Sequence, residues 1–178
     1  RAFREAGVSG FYIEQTTAHS RSALQHADLQ TWVMAKLMDD PDRPLEDLVD
    51  DFCGHYYGPA GEPLKAYFRR LDAATRAFAD TLPDRRVRKG LSAVGVHRAL
   101  TAESIAALQG LLDTAEAAVA DDPLRLERVQ EVRLAADFTA IALWDRLDLA
   151  QALNLDRAAL LDRYETRFAR NIRSIYSD

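Results

Sequence analysis

The amino-acid sequence predicts a mainly α-helical fold, a helical bundle of about six helices preceded by one strand. Apolar residues recur at spacings of three and four through most of the 178 residues, as they do on the packed face of a helix. Capping and turn residues divide this pattern into segments of helical length. One short stretch near the amino terminus departs from the pattern and predicts the strand.

The predicted strand runs from Val8 to Gln15 and contains the aromatic and β-branched run Phe11-Tyr12-Ile13. Before it, Arg1–Ala6 is typical of the end of a helix closed by Gly7. Because a single strand cannot satisfy its own backbone groups, we expect it to pair with strands outside this chain or with a second copy. Helix, tight turn, strand, loop and helix form a step of a parallel α/β fold, so this looks like the last strand of a truncated (β/α)8 barrel.

The first half of the chain predicts three helices, Asp28–Met38, Leu45–Tyr57 and Glu62–Leu82. The prolines and acidic residues of Asp39–Pro44 separate the first two helices, because they favour a turn. Gly58-Pro59 ends the second helix, since glycine commonly ends a helix and proline cannot continue one.

The second half predicts an antiparallel bundle of long helices. Thr101 is predicted to cap a helix that continues to Ala120. Asp121-Asp122-Pro123 predicts the start of a long helix that reaches Leu153, and Asp156 is predicted to cap the final helix. Residues 83–100 between the two halves are predicted to be irregular and locally basic.

We expect three parts in the chain. Residues 1–27 are interpreted as the remnant of the last barrel strand and its loop, and residues 28–82 as barrel-closing helices and a linker helix pair. Residues 83–178 are interpreted as the C-terminal helical bundle. The chain begins with Arg1 and not with Met, so we expect it to be a piece of a longer protein.

Composition narrows the classes of function. A formal net charge of −5 argues against nucleic acid and anionic membranes as partners, and no apolar run approaches the about 20 residues of a membrane span. Cys53 is the single cysteine, so no internal disulfide and no cysteine-rich metal site can form. No nucleophile elbow, phosphate-binding glycine loop or HExxH motif is present, and we expect no cofactor. The cellular compartment is not determined by the sequence, and the cytoplasm is favoured.

Two stretches of the sequence, Asp28 to Ala74 and Arg125 to Leu143, resemble one known family. The matching residues of the first stretch are Ala35-Lys36-Leu37-Met38-Asp39-Asp40-Pro41, Asp51-Phe52, Tyr56-Tyr57-Gly58, Ala60 and Tyr67. The family is a bacterial domain of unknown function related to glycoside hydrolases of the α-glucuronidase and β-hexosaminidase kind. Met38 departs from it, because the family usually has a tryptophan there. The resemblance implies a glycosidase-like (β/α)8 barrel as the parent protein.

The resemblance places no catalytic residue on this chain, so the catalytic residues stay unknown. Glu14 ends the predicted strand, where barrel enzymes carry active-site side chains, and glycoside hydrolysis needs two carboxyl groups. Gln15, Thr16 and His19 follow, with donors and acceptors suited to sugar hydroxyls. The alternative is that Glu14 pairs with an arginine and that the loop only caps the next helix.

Aromatic residues are predicted to have structural roles. Trp32 and Trp144 could stack on sugars, but tryptophans on apolar helix faces are more often part of a core. Tyr56-Tyr57 is interpreted as packing where its helix meets the barrel, and Cys53 as a buried, inert thiol.

Metal and anion sites are not expected. His19 and His26 have no third ligand nearby, which argues against zinc. Asp39, Asp40 and Asp42 lack the rest of a calcium loop, and the neighbouring prolines favour a turn. The basic run Arg85–Lys89 is interpreted as a solvated loop.

We therefore expect the C-terminal helical domain of a glycoside-hydrolase-like, carbohydrate-active protein. The helices would buttress a barrel that hydrolyses glycosidic bonds, and this chain alone would be inactive. The partner would be a carbohydrate substrate bound through the parent barrel, and a homodimer formed by strand pairing is possible. The alternative is a non-catalytic helical interaction or scaffolding module.

Overall fold

The computed structural model describes residues 5–8, 27–82 and 98–176. Within these ranges the chain is a mainly α-helical bundle without strands, which confirms the predicted fold class. Glu5 is helical and Gly7 has φ +74°, in agreement with a helix end closed by this glycine. The predicted strand from Val8 to Gln15 lies outside the described residues apart from Val8, so the barrel remnant stays a prediction.

Helices joined by short turns make up the described part of the chain. They are α1 (Ala27–Asp39), α2 (Leu45–Tyr56), α3 (Gly61–Asp80), α4 (Ala102–Ala118), α5 (Pro123–Leu143), α6 (Leu149–Ala152) and α7 (Arg157–Tyr176). A 3₁₀ turn, Gly58–Ala60, joins α2 to α3. The predicted bounds agree with these helices to within one turn, except at the end of α5.

The prediction that one long helix continues to Leu153 is wrong, because α5 ends at Leu143 and the chain turns before α6. Trp144 and Leu149 are both buried. Two residues five positions apart on a straight helix point in directions that differ by roughly 140°, so one straight helix could not direct both side chains into the same core. Asp148 makes the turn with φ 48°, a left-handed conformation that aspartate tolerates better than most residues.

The helix caps predicted at Thr101 and Asp156 are confirmed, and Asp122 caps the helix whose start was predicted at Asp121-Asp122-Pro123. Thr101 forms a capping box with Ser104: the Ser104 amide donates to Thr101 Oγ1 at 3.1 Å, and the Thr101 amide donates to Ser104 Oγ at 2.8 Å. Asp122 Oδ1 accepts from the Arg125 amide at 3.1 Å, and Asp156 Oδ1 accepts from the Ala159 amide at 2.7 Å. These bonds satisfy amides that a helix start otherwise leaves without partners.

The helices pack largely in chain order. α1 packs on α2, α2 on α3, α3 on α4, α4 on α5, and α5 on α7. One apolar core continues from Leu29 in α1 to Leu160 in α7, and it includes residues on both sides of residue 82. The three-part division of the chain predicted from the sequence is not tested by this packing and stays a prediction.

The turn between α2 and α3 explains why glycines stand at this point in the sequence. Gly58 has φ +56°, and a Cβ atom there would lie 2.6 Å from Nε of Arg125. A Cβ atom on Gly61 would lie 2.7 Å from the carbonyl oxygen of Cys53. The Cys53 carbonyl is backbone and cannot move aside, so Gly61 must lack a Cβ atom, whereas at Gly58 the positive φ favours glycine and a Cβ atom would displace the Arg125 side chain. Tyr57, beside the turn, is buried in the core.

Gly58→Ala is expected to lower the free energy of unfolding by about 2 kcal/mol, because alanine is strained at positive φ and would displace the Arg125 side chain. Denaturation by urea, followed by circular dichroism, measures the change. Gly110→Ala is the matched control, because a Cβ atom there meets nothing within 4 Å and α4 would gain helix propensity. Equal destabilisation by the two changes would contradict this account of the turn.

Cys53 is fully buried in α2, in agreement with the predicted inert thiol. Burial raises the pKa of its thiol from 9.0 to about 11, although the Lys65 ammonium opposes the shift. The thiol therefore keeps its proton in the folded protein at a pH at which the unfolded chain has lost it.

The free energy of unfolding is expected to fall as the pH rises from about 9 towards 11, because ionisation of the Cys53 thiol then favours the unfolded chain. Urea denaturation under reducing conditions at several alkaline pH values measures this slope. Cys53→Ala should make the slope shallower, while the buried tyrosines keep part of it. An unchanged slope in that variant would show that the thiol does not contribute.

Candidate functional site

The residues predicted to bind substrate, Glu14, Gln15, Thr16 and His19, lie outside the described residues. Their role therefore stays a prediction. The basic run Arg85–Lys89 lies outside the described residues as well.

The two tryptophans have different environments. Trp144 is buried in the core, which confirms the structural interpretation. Trp32 is only half-buried: its ring centre lies 5.6 Å from that of Phe52, and its side chain also lines a groove. Trp32 thus packs on the core in part, and its predicted alternative role, stacking on a sugar, stays a prediction.

This groove lies between α1, α2 and α5 and has a cavity volume of about 450 Å³. Its size falls in the range of small-molecule sites. The described residues that line it are Trp32, Asp51, Phe52, His55, Tyr56 and Arg128. We refer to it as the aromatic groove.

Aromatic side chains form one wall of the aromatic groove. Phe52 and Tyr56 are four residues apart on α2 and therefore lie on the same face. Their rings stack with centres 4.8 Å apart, and the Tyr57 ring meets Tyr56 edge-on at 5.0 Å. Because each ring is held by a neighbouring ring, the wall is ordered before any ligand arrives.

Arg128 on α5 covers the Tyr56 ring. Its Cζ atom lies 4.0 Å from the ring centre, a cation–π arrangement, and its Nη1 donates to the Tyr56 carbonyl oxygen at 2.7 Å. This bond satisfies a carbonyl at the C-terminal end of α2. In the part of the chain that the structure describes, Arg128 forms no ion pair with a carboxylate.

The Tyr56 hydroxyl links α2 to α1 at the edge of the groove. It donates to Asp28 Oδ2 at 3.1 Å. Burial and then the nearby Asp28 carboxylate raise the pKa of Tyr56 to about 12, so the phenol keeps its proton at neutral pH.

Asp51 and His55 form a pair at the rim of the groove. Nδ1 of His55 lies 2.9 Å from the Asp51 carbonyl oxygen and 3.2 Å from Asp51 Oδ1, while the side chain is 87% exposed. Arg43 Nη2 lies 3.9 Å from the other carboxylate oxygen. The pair orients the imidazole, but no serine, threonine or cysteine stands among the described lining residues. The arrangement therefore suits hydrogen bonding more than nucleophilic catalysis.

A second feature, the buried ionic cluster, joins α4, α5 and α7. Arg133 and Asp137 on α5 are both completely buried. The members of the buried ionic cluster are Gln109, Asp113, Glu116, Arg133, Asp137, Arg163 and Arg167. The charges of the three arginines balance those of the three carboxylates, as burial of charge requires.

The two buried charges of α5 are bonded to the neighbouring helices, Arg133 to α4 alone and Asp137 to both α4 and α7. Arg133 donates to Glu116 at 2.8 Å, to Gln109 at 2.9 Å and to Asp113 at 2.6 Å. Asp137 accepts from Gln109 at 3.1 Å and from Arg163 at 2.6 and 2.9 Å. These bonds define which faces of α4 and α7 meet α5.

Arg167 is the least satisfied member of the cluster. Its Nη2 lies 3.0 Å from Glu116 Oε1, whereas its buried Nη1 has no hydrogen-bond partner. Burial and the neighbouring Arg133 charge lower the pKa of Arg167, and the Glu116 carboxylate opposes this shift. The cluster was not predicted from the sequence, although Arg133 and Asp137 stand four residues apart in the largely apolar second half of α5, which was a signal for it.

The acidic run after α1 forms a turn, as predicted: the Asp42 amide donates to Asp40 Oδ1 at 3.0 Å. Among the described residues, no three histidine, cysteine, aspartate or glutamate side chains are arranged to hold a metal ion. In the same part of the chain, no helix has the length and apolar character needed to cross a membrane.

The fold and its groove define a helical-bundle protein whose described part carries an aromatic surface site. Comparison with protein families gives one match, to a domain of unknown function (DUF4838), over residues 1–69. The chain is similar to that family over the predicted strand and loop, α1, α2 and the first turns of α3. This match contains no statement about glycoside hydrolysis. No curated protein and no solved structure matches the chain.

Asp137→Asn is expected to lower the free energy of unfolding by about 3 kcal/mol, because it leaves buried arginines without a balancing charge. Thermal or urea denaturation measures the loss. Asp113→Asn is the matched control, since Asp113 contacts the same Arg133 but its side chain is 68% exposed, and we expect a loss below about 1 kcal/mol. Similar losses in both variants would contradict the assignment of Asp137 as the central anion.

Proposed function

We propose that this chain is the helical support domain of a larger carbohydrate-active protein. In this proposal the predicted strand belongs to a barrel that hydrolyses glycosidic bonds, and Glu14 with the loop that follows contributes to its substrate pocket. The helices hold that loop in place. The proposal draws on the resemblance to glycosidase-like proteins and on the similarity of residues 1–69 to a single family.

The observation that carries this proposal is the anchoring of α1. Leu29 and Val33 are buried in the core within the first two turns after Ala27, where the predicted loop joins α1. α1 packs on α2, α2 packs on α3, and α3 packs on the bundle that the ionic cluster holds together. A binding loop needs such a rigid base, because small displacements of its side chains cost much of its activity.

The second candidate function is a non-catalytic helical interaction module. The aromatic groove favours it, because the groove is open and none of its described lining residues is a nucleophile. A homodimer of this chain would also be a non-catalytic interaction of this kind.

The first experiment compares the mass of the native gene product in its own cells with the 19.9 kDa of this chain. We expect a product several-fold larger that hydrolyses aryl glycosides or aryl uronosides. A product close to 19.9 kDa without hydrolysis or sugar binding would overturn the proposal in favour of the interaction module.

In the full-length product, Glu14→Gln is expected to lower kcat/KM by about tenfold or more, because the pocket would lose a carboxylate. Glu103→Gln is the control, since Glu103 is exposed on α4, and its kcat/KM should match that of the unmodified protein. Steady-state kinetics on the best aryl substrate measures both. Equal kcat/KM values for the two variants would contradict the placement of Glu14 in the substrate pocket.

A further inference from the structure

The arrangement around Arg128 leaves a cation available in the aromatic groove. Among the described residues the guanidinium has one hydrogen bond, from Nη1 to the Tyr56 carbonyl oxygen, and its Cζ atom lies over the Tyr56 ring. Because an arginine carries five N–H donors, it keeps donors that no described residue accepts from. The guanidinium is already oriented by Tyr56, so an anion would bind it without ordering a long side chain.

The carboxylates near the groove are already engaged. Asp28 accepts from the Tyr56 hydroxyl at 3.1 Å, and Asp51 lies against His55 and Arg43. Neither forms an ion pair with Arg128, yet both add negative charge to the rim, as does Glu131, which lies one turn from Arg128 on α5 and helps to raise the pKa of Tyr56. This balance favours a ligand with a single negative charge over a dianion such as phosphate.

The groove also offers flat apolar surface. Trp32 lines it from α1 and Tyr56 from α2, and both are only half-buried. Phe52 and Arg128 already lie against the Tyr56 ring, so Trp32 offers the aromatic face against which another flat ring can lie. His55 at the rim is held by Asp51 through Nδ1, so its Nε2 remains available for a hydrogen bond.

We propose that the aromatic groove binds a small organic monoanion in which a carboxylate is attached to a ring. The carboxylate binds N–H groups of Arg128, the ring lies against Trp32, and His55 contributes a hydrogen bond at the rim. Sugar acids and aromatic acids share this chemistry. The site is separate from the predicted pocket at Glu14 and does not depend on hydrolysis.

Trp32 provides the readout, because the chain contains two tryptophans and Trp144 is buried in the core. In a Trp144→Phe background, fluorescence reports on Trp32 alone. The probes are benzoate and D-glucuronate, with benzamide and D-glucose as their neutral counterparts and inorganic phosphate as an anion without a ring. We expect a saturable fluorescence change with at least one carboxylate probe, and a binding constant at least about tenfold weaker for its neutral counterpart.

Arg128→Gln in the same background is expected to weaken carboxylate binding by about tenfold or more, because it removes the charge and keeps an unbranched polar side chain. Arg128→Lys should be intermediate, since it retains the charge and loses the planar donors. Arg76→Gln is the control on the exposed face of α3 and should bind as the background does. Circular dichroism and the thermal midpoint verify that each variant is folded.

The outcomes separate the possibilities. Binding of benzoate alone identifies an aromatic acid as the ligand class, and binding of D-glucuronate alone identifies a sugar acid. Equal binding of a carboxylate and its neutral counterpart, phosphate binding as tight as that of the ring acids, or no fluorescence change with any probe would overturn the proposal. A protein that hydrolyses glycosides but binds no probe here would refute the groove site and leave the proposed function standing.

Discussion

The balanced burial of charge on α5 is the constraint on which the rest of this structure depends. Arg133 and Asp137 are completely buried, and an isolated charge in such a place would cost several kcal/mol. Their partners come from α4 and α7, so those helices can approach α5 only in the orientation that supplies them. Apolar packing alone tolerates rotation and sliding of helices, whereas charges with several directed bonds do not.

The position of α5 in turn determines the aromatic groove. Arg125 and Arg128 lie on the turns of α5 that precede the cluster. Arg125 fills the space next to Gly58 that any larger residue would occupy, and Arg128 reaches the Tyr56 carbonyl at 2.7 Å. A rotation of α5 about its axis would withdraw both side chains from the α2–α3 turn. The ionic cluster and the groove are therefore two consequences of one helix orientation.

Local signals in the sequence predicted most of the fold. Thr101, Asp122 and Asp156 carry the chemistry of a helix start within three residues of it, so their caps could be predicted without tertiary information. The break after Leu143 could not, because Trp144 to Asp148 contains no glycine or proline. It exists because the core takes both Trp144 and Leu149, which is a property of the assembled bundle.

The candidate groove was harder to predict because its contacts connect distant parts of the chain. Arg128 and Tyr56 are 72 residues apart, and no pattern in either segment indicates the other. Two arginines of α5 show why position decides the role of a residue type. Arg133 is saturated by carboxylates and an amide, so it holds helices together, whereas Arg128 is held by a ring and a carbonyl and forms no ion pair with a carboxylate of the described residues. An arginine that is ordered but not neutralised retains the capacity to bind an anion, and in the described part of this chain that capacity lies beside the half-buried rings of Trp32 and Tyr56.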